Sequence, residues 1–201
     1  GYAALKAENE GQPLFFNEAH AAHYIIDYKG QLLDNLLADL EKLEDITKFQ
    51  ILQDRKYLAK GEVISYADVV NILPAFANEE SYIVNQALNQ IFSELDIFID
   101  DESATEKSYK SLVGKVFAKN YARLGWEKKA GESAGDETLR ATVLSRTLYS
   151  ENPEAVEKAS EIYAAHKDNV ATIPADIRPI VLNNEIKTSN SAELVASYMD
   201  T

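Results

Sequence analysis

Apolar residues recur at helical spacing along most of this 201-residue chain, and they do so in separate blocks. The clearest block is QLLDNLLADLEKLE, residues 31–44. Leu32, Leu33, Leu36, Leu37, Leu40 and Leu43 fall on one stripe, with acids opposite. A 3.6-residue period cannot be satisfied by a strand, so each block must be an amphipathic helix that needs a partner for its apolar side. The second block, residues 46–60, carries Ile46, Phe49, Ile51, Leu52, Leu58 and Ala59, and Gly61 follows as a C-terminal cap. Ser65 reads as the N-cap of YADVVNILPAF, with Asp68 as an imperfect capping-box partner. Pro74 bends or ends that helix.

Six further blocks follow. Residues 79–99 and 103–128 predict two long helices, separated from a third at 136–149 by the loop KAGESAG. Asn152 as N-cap and Pro153 at the first helical position open the next helix. Pro174 and Asp176 start a shorter one, and Asn190 or Ser191 starts the last. Eight or nine helices on short loops predict stacked antiparallel pairs, a degenerate HEAT-like α-solenoid rather than a consensus array. The aromatic set Tyr82, Phe92, Tyr109, Phe117 and Trp126 sits at helical spacing and reads as core.

The stretch from Gly1 to Tyr28 has a different texture. Leu14-Phe15-Phe16 and Tyr24-Ile25-Ile26 read as short strands with polar connections. His20 and His23 lie in this region, three residues apart. On a strand an odd separation sends two side chains to opposite faces, so this pair does not chelate one ion. The chain contains no H-E-x-x-H sequence and no cysteine, which leaves no zinc-site pattern and no thiol chemistry.

Bulk composition excludes other classes. A net charge of −13 repels a phosphate backbone, so no nucleic-acid partner is expected. No apolar run approaches the roughly 18 residues of a membrane span, and none of the pattern of a secretory signal is present at the N-terminus. These features suit a cytoplasmic protein. The chain starts at Gly1 rather than at methionine and ends at Thr201 within a helical pattern, so the expectation is a piece of a longer protein.

Three stretches resemble the C-terminal part of the aminopeptidase N family of zinc metallopeptidases. In AAHYIIDY, Tyr24, Asp27 and Tyr28 keep the shape of the family's Gly-x-Tyr-Arg-Val-Asn-Tyr strand, with Ile25 where arginine is usual. In KFQILQDRKYLAKGEVISYADVVNIL, Lys48, Gln50, Ile51 and Asp54 match an Arg-x-Gln-Leu-x-x-Asp helix, with lysine for arginine. Leu139, Arg140, Ala155, Pro174, Asp176, Arg178 and Val181 carry the third stretch, which ends in Ile-Pro-x-Asp-x-Arg-x-x-Val. The likeness covers nearly the whole chain, and members from lactic acid bacteria match its wording best.

The resemblance implies that residues 1–28 close a β-sandwich domain and that residues 29–201 form much of a C-terminal helical domain. It implies a parent that removes N-terminal residues from peptides with zinc as cofactor. The zinc ligands and the Gly-x-Met-Glu-Asn segment are absent here, the sole methionine being Met199, so no catalytic or metal residue is expected. The helical domain would wall and gate the substrate chamber, with the parent's catalytic domain and peptide substrates as partners. Arg140, Arg146 and Arg178 are the candidates for meeting a peptide carboxylate there. The commoner fate of such arginines is an ion pair between helices, with Glu137 near Arg140 and Asp176 near Arg178. Asp54 reads as a buried structural acid. His166 and the acidic runs Glu79-Glu80 and Asp100-Asp101-Glu102 read as helix termini. The alternative reading is a free-standing helical scaffold that binds protein partners on a concave surface.

Overall fold

A computed structural model describes residues 14–17 and 22–189. The described residues are mainly helical. They contain α1 (Gln31–Ala38), α2 (Asp45–Lys60), α3 (Tyr66–Val70), α4 (Tyr82–Leu95), α5 (Ala104–Leu124), α6 (Ala134–Tyr149), α7 (Pro153–His166) and α8 (Arg178–Ser189). The chain divides into two compact units, residues 1–105 and 106–201. No strand occurs among the described residues, and residues 23–29 form no regular secondary structure. His20, most of the expected strands and the expected last helix lie outside the described residues.

In the first unit α2 packs against α3 and α4. Phe92, Leu88, Leu52 and Leu36 are fully shielded from solvent in its core. The α4 positions Val84, Leu88, Ile91 and Leu95 follow i, i+4 and i+3 steps and form its buried side. The expected helix over 31–44 is interrupted: α1 stops at Ala38 and a 3-10 turn, Leu40–Lys42, brings Leu40 and Leu43 back to the core. The Ser65 capping box is complete, because Ser65 Oγ accepts from the Asp68 amide and Asp68 accepts from the Ser65 amide. α3 ends at Val70, four residues before Pro74, which sits inside a separate 3-10 turn.

The C-terminus of α2 departs from the glycine-cap expectation. Gly61 has an ordinary φ of −85°, and the left-handed residue is Glu62, at φ 58°. The Glu62 amide donates to the Ala59 carbonyl and the Val63 amide to the Leu58 carbonyl. Those two bonds make a Schellman motif with a glutamate where glycine is usual. α6 ends the same way, with Glu151 at φ 59° and amide bonds from Glu151 to Leu148 and from Asn152 to Thr147.

In the second unit α6, α7 and α8 pack on one another. Leu139, Leu144, Ala155, Ala159 and Val181 fill the core. Ala155 and Ala159 are small enough for close helix approach. Gly114 of α5 serves the same end, since a Cβ there would meet Ser150 at 3.2 Å. Asn152 caps α7 through the Ala155 amide, with Pro153 at the first position. α5 ends at Leu124 rather than 128, because Gly125 turns left-handed at φ 60°. Trp126 therefore lies beyond the helix and is half-buried, and Tyr82 is 36% exposed; neither is core. Phe92, Tyr109 and Phe117 are buried as expected.

Two outcomes follow from these helix ends. A left-handed L-residue costs roughly 1–2 kcal/mol, part of which glycine returns as unfolded-state entropy. Glu62→Gly should therefore stabilise the chain by about 1 kcal/mol in urea unfolding. Lys110 contacts Glu106 at 2.7 Å and Glu151 at 2.6 Å. These carboxylates raise its pKa from the ordinary 10.5 to about 12. A raised lysine pKa stabilises fully below pH 10.5 and loses that contribution as pH rises through 12. The Tm difference between the native chain and Lys110→Met should be constant at neutral pH and shrink across that alkaline window.

Candidate interaction site

The polar residues of α2 set the geometry of the first unit. Thr47, Lys48, Gln50, Asp54, Arg55 and Lys56 are all buried, although a simple amphipathic reading puts them at the surface. A buried polar group needs a partner. Lys48 pairs with Glu79 at 2.8 Å, and Lys56 donates to Gln90 at 3.1 Å. Burial pulls the Lys56 ammonium below its ordinary pKa. Asp54 accepts from the Ile26 amide at 3.1 Å. Arg55 donates to the Tyr28 carbonyl at 3.2 Å and reaches the Asp27 carboxylate at 3.4 Å. Two successive side chains of α2 thus hold the segment 23–29 against the helix. Asp54 is the structural acid that the sequence indicated.

Tyr28 continues this anchoring outward. It is 3% exposed, and its hydroxyl accepts from the Phe16 amide at 2.9 Å while the two rings stack at 6.3 Å. Burial raises the phenol pKa, and the Tyr28 hydroxyl also donates to the Phe16 carbonyl at 3.4 Å. Lys29 and Arg55 neutralise Asp27.

The anchored segment forms one wall of a cleft of about 1000 Å³. Tyr28, Gly30, Leu33, Val63, Tyr66 and Phe98 line it. Tyr66 and Phe98 meet at 5.0 Å between ring centres. Val63 is 60% exposed and Phe98 57%, with Ile97 beside it at 78%. The lining acids are largely engaged: Ser65 holds the Asp68 carboxyl below its usual range, and Asp27 is paired. Ser65 and Asp68, which also line the cleft, are committed to each other in the capping box of α3.

The second unit uses its arginines differently from the sequence expectation. Arg140 is 2% exposed and donates to the Leu124 and Gly125 carbonyls, closing the C-terminus of α5. It pairs with Glu132 and holds that carboxyl below its usual range. Glu137 instead meets Lys128 at 2.6 Å, because α6 starts two residues earlier than expected and Ser133 caps it. Arg178 donates to the Ala171 and Ile173 carbonyls, not to Asp176, and so fastens the turn before α8. Arg146 is buried and is not a free cation. Arg140 thus closes the end of α5 and Arg178 the turn before α8. Trp126 lines a second cleft of about 440 Å³ with Lys158 and three glutamates of α7. His166 hydrogen-bonds Thr172 at 2.7 Å. Among the described residues no group of three metal-ligating side chains comes together, the acidic runs included. No helix among them is long and apolar enough to cross a membrane.

Sequence reading missed the cleft because its apolar residues come from helix ends and turns, which carry no periodicity. One signal was present: Val63 and Ile97-Phe98 are apolar residues at positions where polar ones are usual.

Residues 13–199 match the family described as the ERAP1-like C-terminal domain. The chain is 71% identical to the aminopeptidase N of Lactococcus lactis subsp. lactis, over 100% of this chain and 24% of that protein. It is 42% identical to the aminopeptidase N of Lactobacillus helveticus, over 96% of this chain and 23% of that protein. It is 26% identical to the puromycin-sensitive aminopeptidase of Caenorhabditis elegans, over 84% of this chain and 18% of that protein. The chain thus spans about a quarter of the length of the first two relatives.

One outcome tests the anchoring. Tyr28→Phe removes the hydroxyl clamp on Phe16 and should cost about 1 kcal/mol. Limited proteolysis should then cut within residues 14–30 faster than in the native chain while the helical core resists. Unchanged cutting would remove Tyr28 from the anchor.

Proposed function

The chain belongs to the ERAP1-like C-terminal domain family, and from that we propose that it works as the non-catalytic helical portion of a zinc-dependent aminopeptidase. The observation that carries this is 71% identity along the whole chain to a protein about four times as long. The parent would remove N-terminal residues from peptides in the cytoplasm. The helix pairs of residues 29–201 would continue a HEAT-like stack that walls and gates the substrate chamber, and residues 1–28 would be the end of the preceding β-sandwich domain. The donor set of this chain does not fit zinc: it lacks H-E-x-x-H and cysteine, and its described residues bring no three ligands together. Zinc belongs to the remainder of the parent, and this chain should be inactive alone. The proposal extends to Arg178 as a contact for a peptide carboxylate, since it is the one of the three arginines that is not buried.

An antibody against this chain tests the reading on a lysate of the producing cells. The expected native band lies far above the 22.4 kDa of this chain. The precipitate should release amino acids from a chromogenic amino-acid amide until a chelator is added. In that enzyme Arg178→Ala should raise KM several-fold for a tripeptide but not for the amide, which has no carboxylate. A native band near 22.4 kDa without activity would leave the free-standing scaffold instead. Equal KM effects on both substrates would remove Arg178 from the chamber wall.

A further inference from the structure

The cleft of the first unit brings together three unanswered features that differ in kind. The first is a buried cation with an open edge. Arg55 is 6% exposed and lines the cleft. Its bonds to the Tyr28 carbonyl and the Asp27 carboxylate both leave from Nη1, and its Nε is shielded from solvent without a partner. A buried donor without an acceptor is costly, and a carboxylate is the group that best answers the edge of a guanidinium.

The second feature is a bare acid. Glu62 lines the same cleft, is exposed, and meets no cation among the described residues. It holds φ 58°, a conformation that glycine adopts at lower cost, so the backbone does not account for a glutamate there. Asp68 adds a second negative charge to the lining, since Ser65 offers it only a neutral hydroxyl and amide. The lining cations Lys29 and Arg55 both turn to Asp27 instead. The third feature is the apolar surface of Val63, Tyr66 and Phe98, of which Val63 and Phe98 are more than half exposed.

Together these features constrain an occupant. An apolar ligand would strip water from Glu62 and put nothing in its place. A cation would leave the Arg55 edge open, and an anion would be opposed by Glu62 and Asp68. A small zwitterion with an apolar side chain satisfies all three. Arg55 and Glu62 are seven positions apart, which is roughly 10 Å along the line of α2. Two long side chains narrow that gap to one that a single amino acid bridges. The cleft volume of about 1000 Å³ lies at the upper end of small-molecule sites, about 300–1,000 Å³.

We propose that this cleft binds a free α-amino acid with an apolar side chain. Its carboxylate sits on the open edge of Arg55, its ammonium at Glu62, and its side chain against Val63, Tyr66 and Phe98. The source of the amino acid rests on the reading of the parent as an aminopeptidase, whose products are such molecules; the site itself does not. The probe is a leucine analogue with a diazirine in its side chain, irradiated with the full-length enzyme and with the 201-residue chain. Mass spectrometry of the tryptic peptides then separates labelling at the cleft from labelling at the catalytic portion. Cleft labelling should saturate in both proteins. Excess leucine should suppress it, whereas N-acetylleucine, which lacks the ammonium, and leucinamide, which lacks the carboxylate, should compete about tenfold less well. Glu62→Gln and Phe98→Ala should each weaken labelling about tenfold at an unchanged urea midpoint, and Lys60→Gln, at an exposed side chain outside the lining, should leave it alone. Leucinamide competing as well as leucine would reduce the cleft to a cation site and overturn the proposal, as would labelling that does not saturate. Labelling confined to the catalytic portion of a chelator-sensitive enzyme would overturn this site and leave the functional reading intact. A native product of 22.4 kDa without peptidase activity, still labelled at the cleft, would overturn the functional reading and support the site.

Discussion

Everything in the first unit depends on satisfying the polar residues buried along α2. An ion pair, an amide and two main-chain groups answer Lys48, Lys56, Asp54 and Arg55 in turn. Leaving any one without its partner would bury an uncompensated polar group, at a cost of about 1–3 kcal/mol or more for a charge. The helix can therefore occupy the middle of the unit only if α4 and the segment 23–29 are placed where they are. Hydrophobic burial supplies the general driving force, but it is non-directional. The α2 contacts fix which neighbour sits on which side.

The same logic separates anchoring from reaction. Asp54 and Arg55 direct their bonding capacity to main-chain groups of the preceding segment, and Arg140 and Arg178 direct theirs to carbonyls at helix and turn ends. Charged side chains used this way act as fasteners between elements. The exposed apolar residues around Phe98 have no such internal duty. The two kinds of residue divide the unit into a part that holds itself together and a part that faces outward.

Much of the helical architecture was legible in the sequence because apolar spacing and caps are local signals. Asn152-Pro153 and the Ser65 box started helices where expected. What was not legible depended on distant partners or on backbone conformation. Glu62 and Glu151 adopt a left-handed turn that composition assigns to glycine. Glu132, eight residues before Arg140 and in the loop ahead of α6, is the arginine's partner, whereas Glu137 pairs with Lys128. The buried stretch Lys48 to Lys56 has the composition of a solvated face, and only its neighbours reveal it as interior. The cleft was the least legible feature of all, since its residues are gathered from separate turns.

Each compact unit is one unbroken stretch of sequence, with its helices packed mainly on near neighbours along the chain. That arrangement has a consequence for biosynthesis. Loop closures between sequence neighbours are short and fast, and a unit made of them has no need of residues still inside the ribosome. The first unit can bury α2 as soon as α4 has emerged, before α6 to α8 are translated. Order of synthesis then becomes order of assembly, and the nascent chain is spared a long interval with the charged side of its central helix unsatisfied.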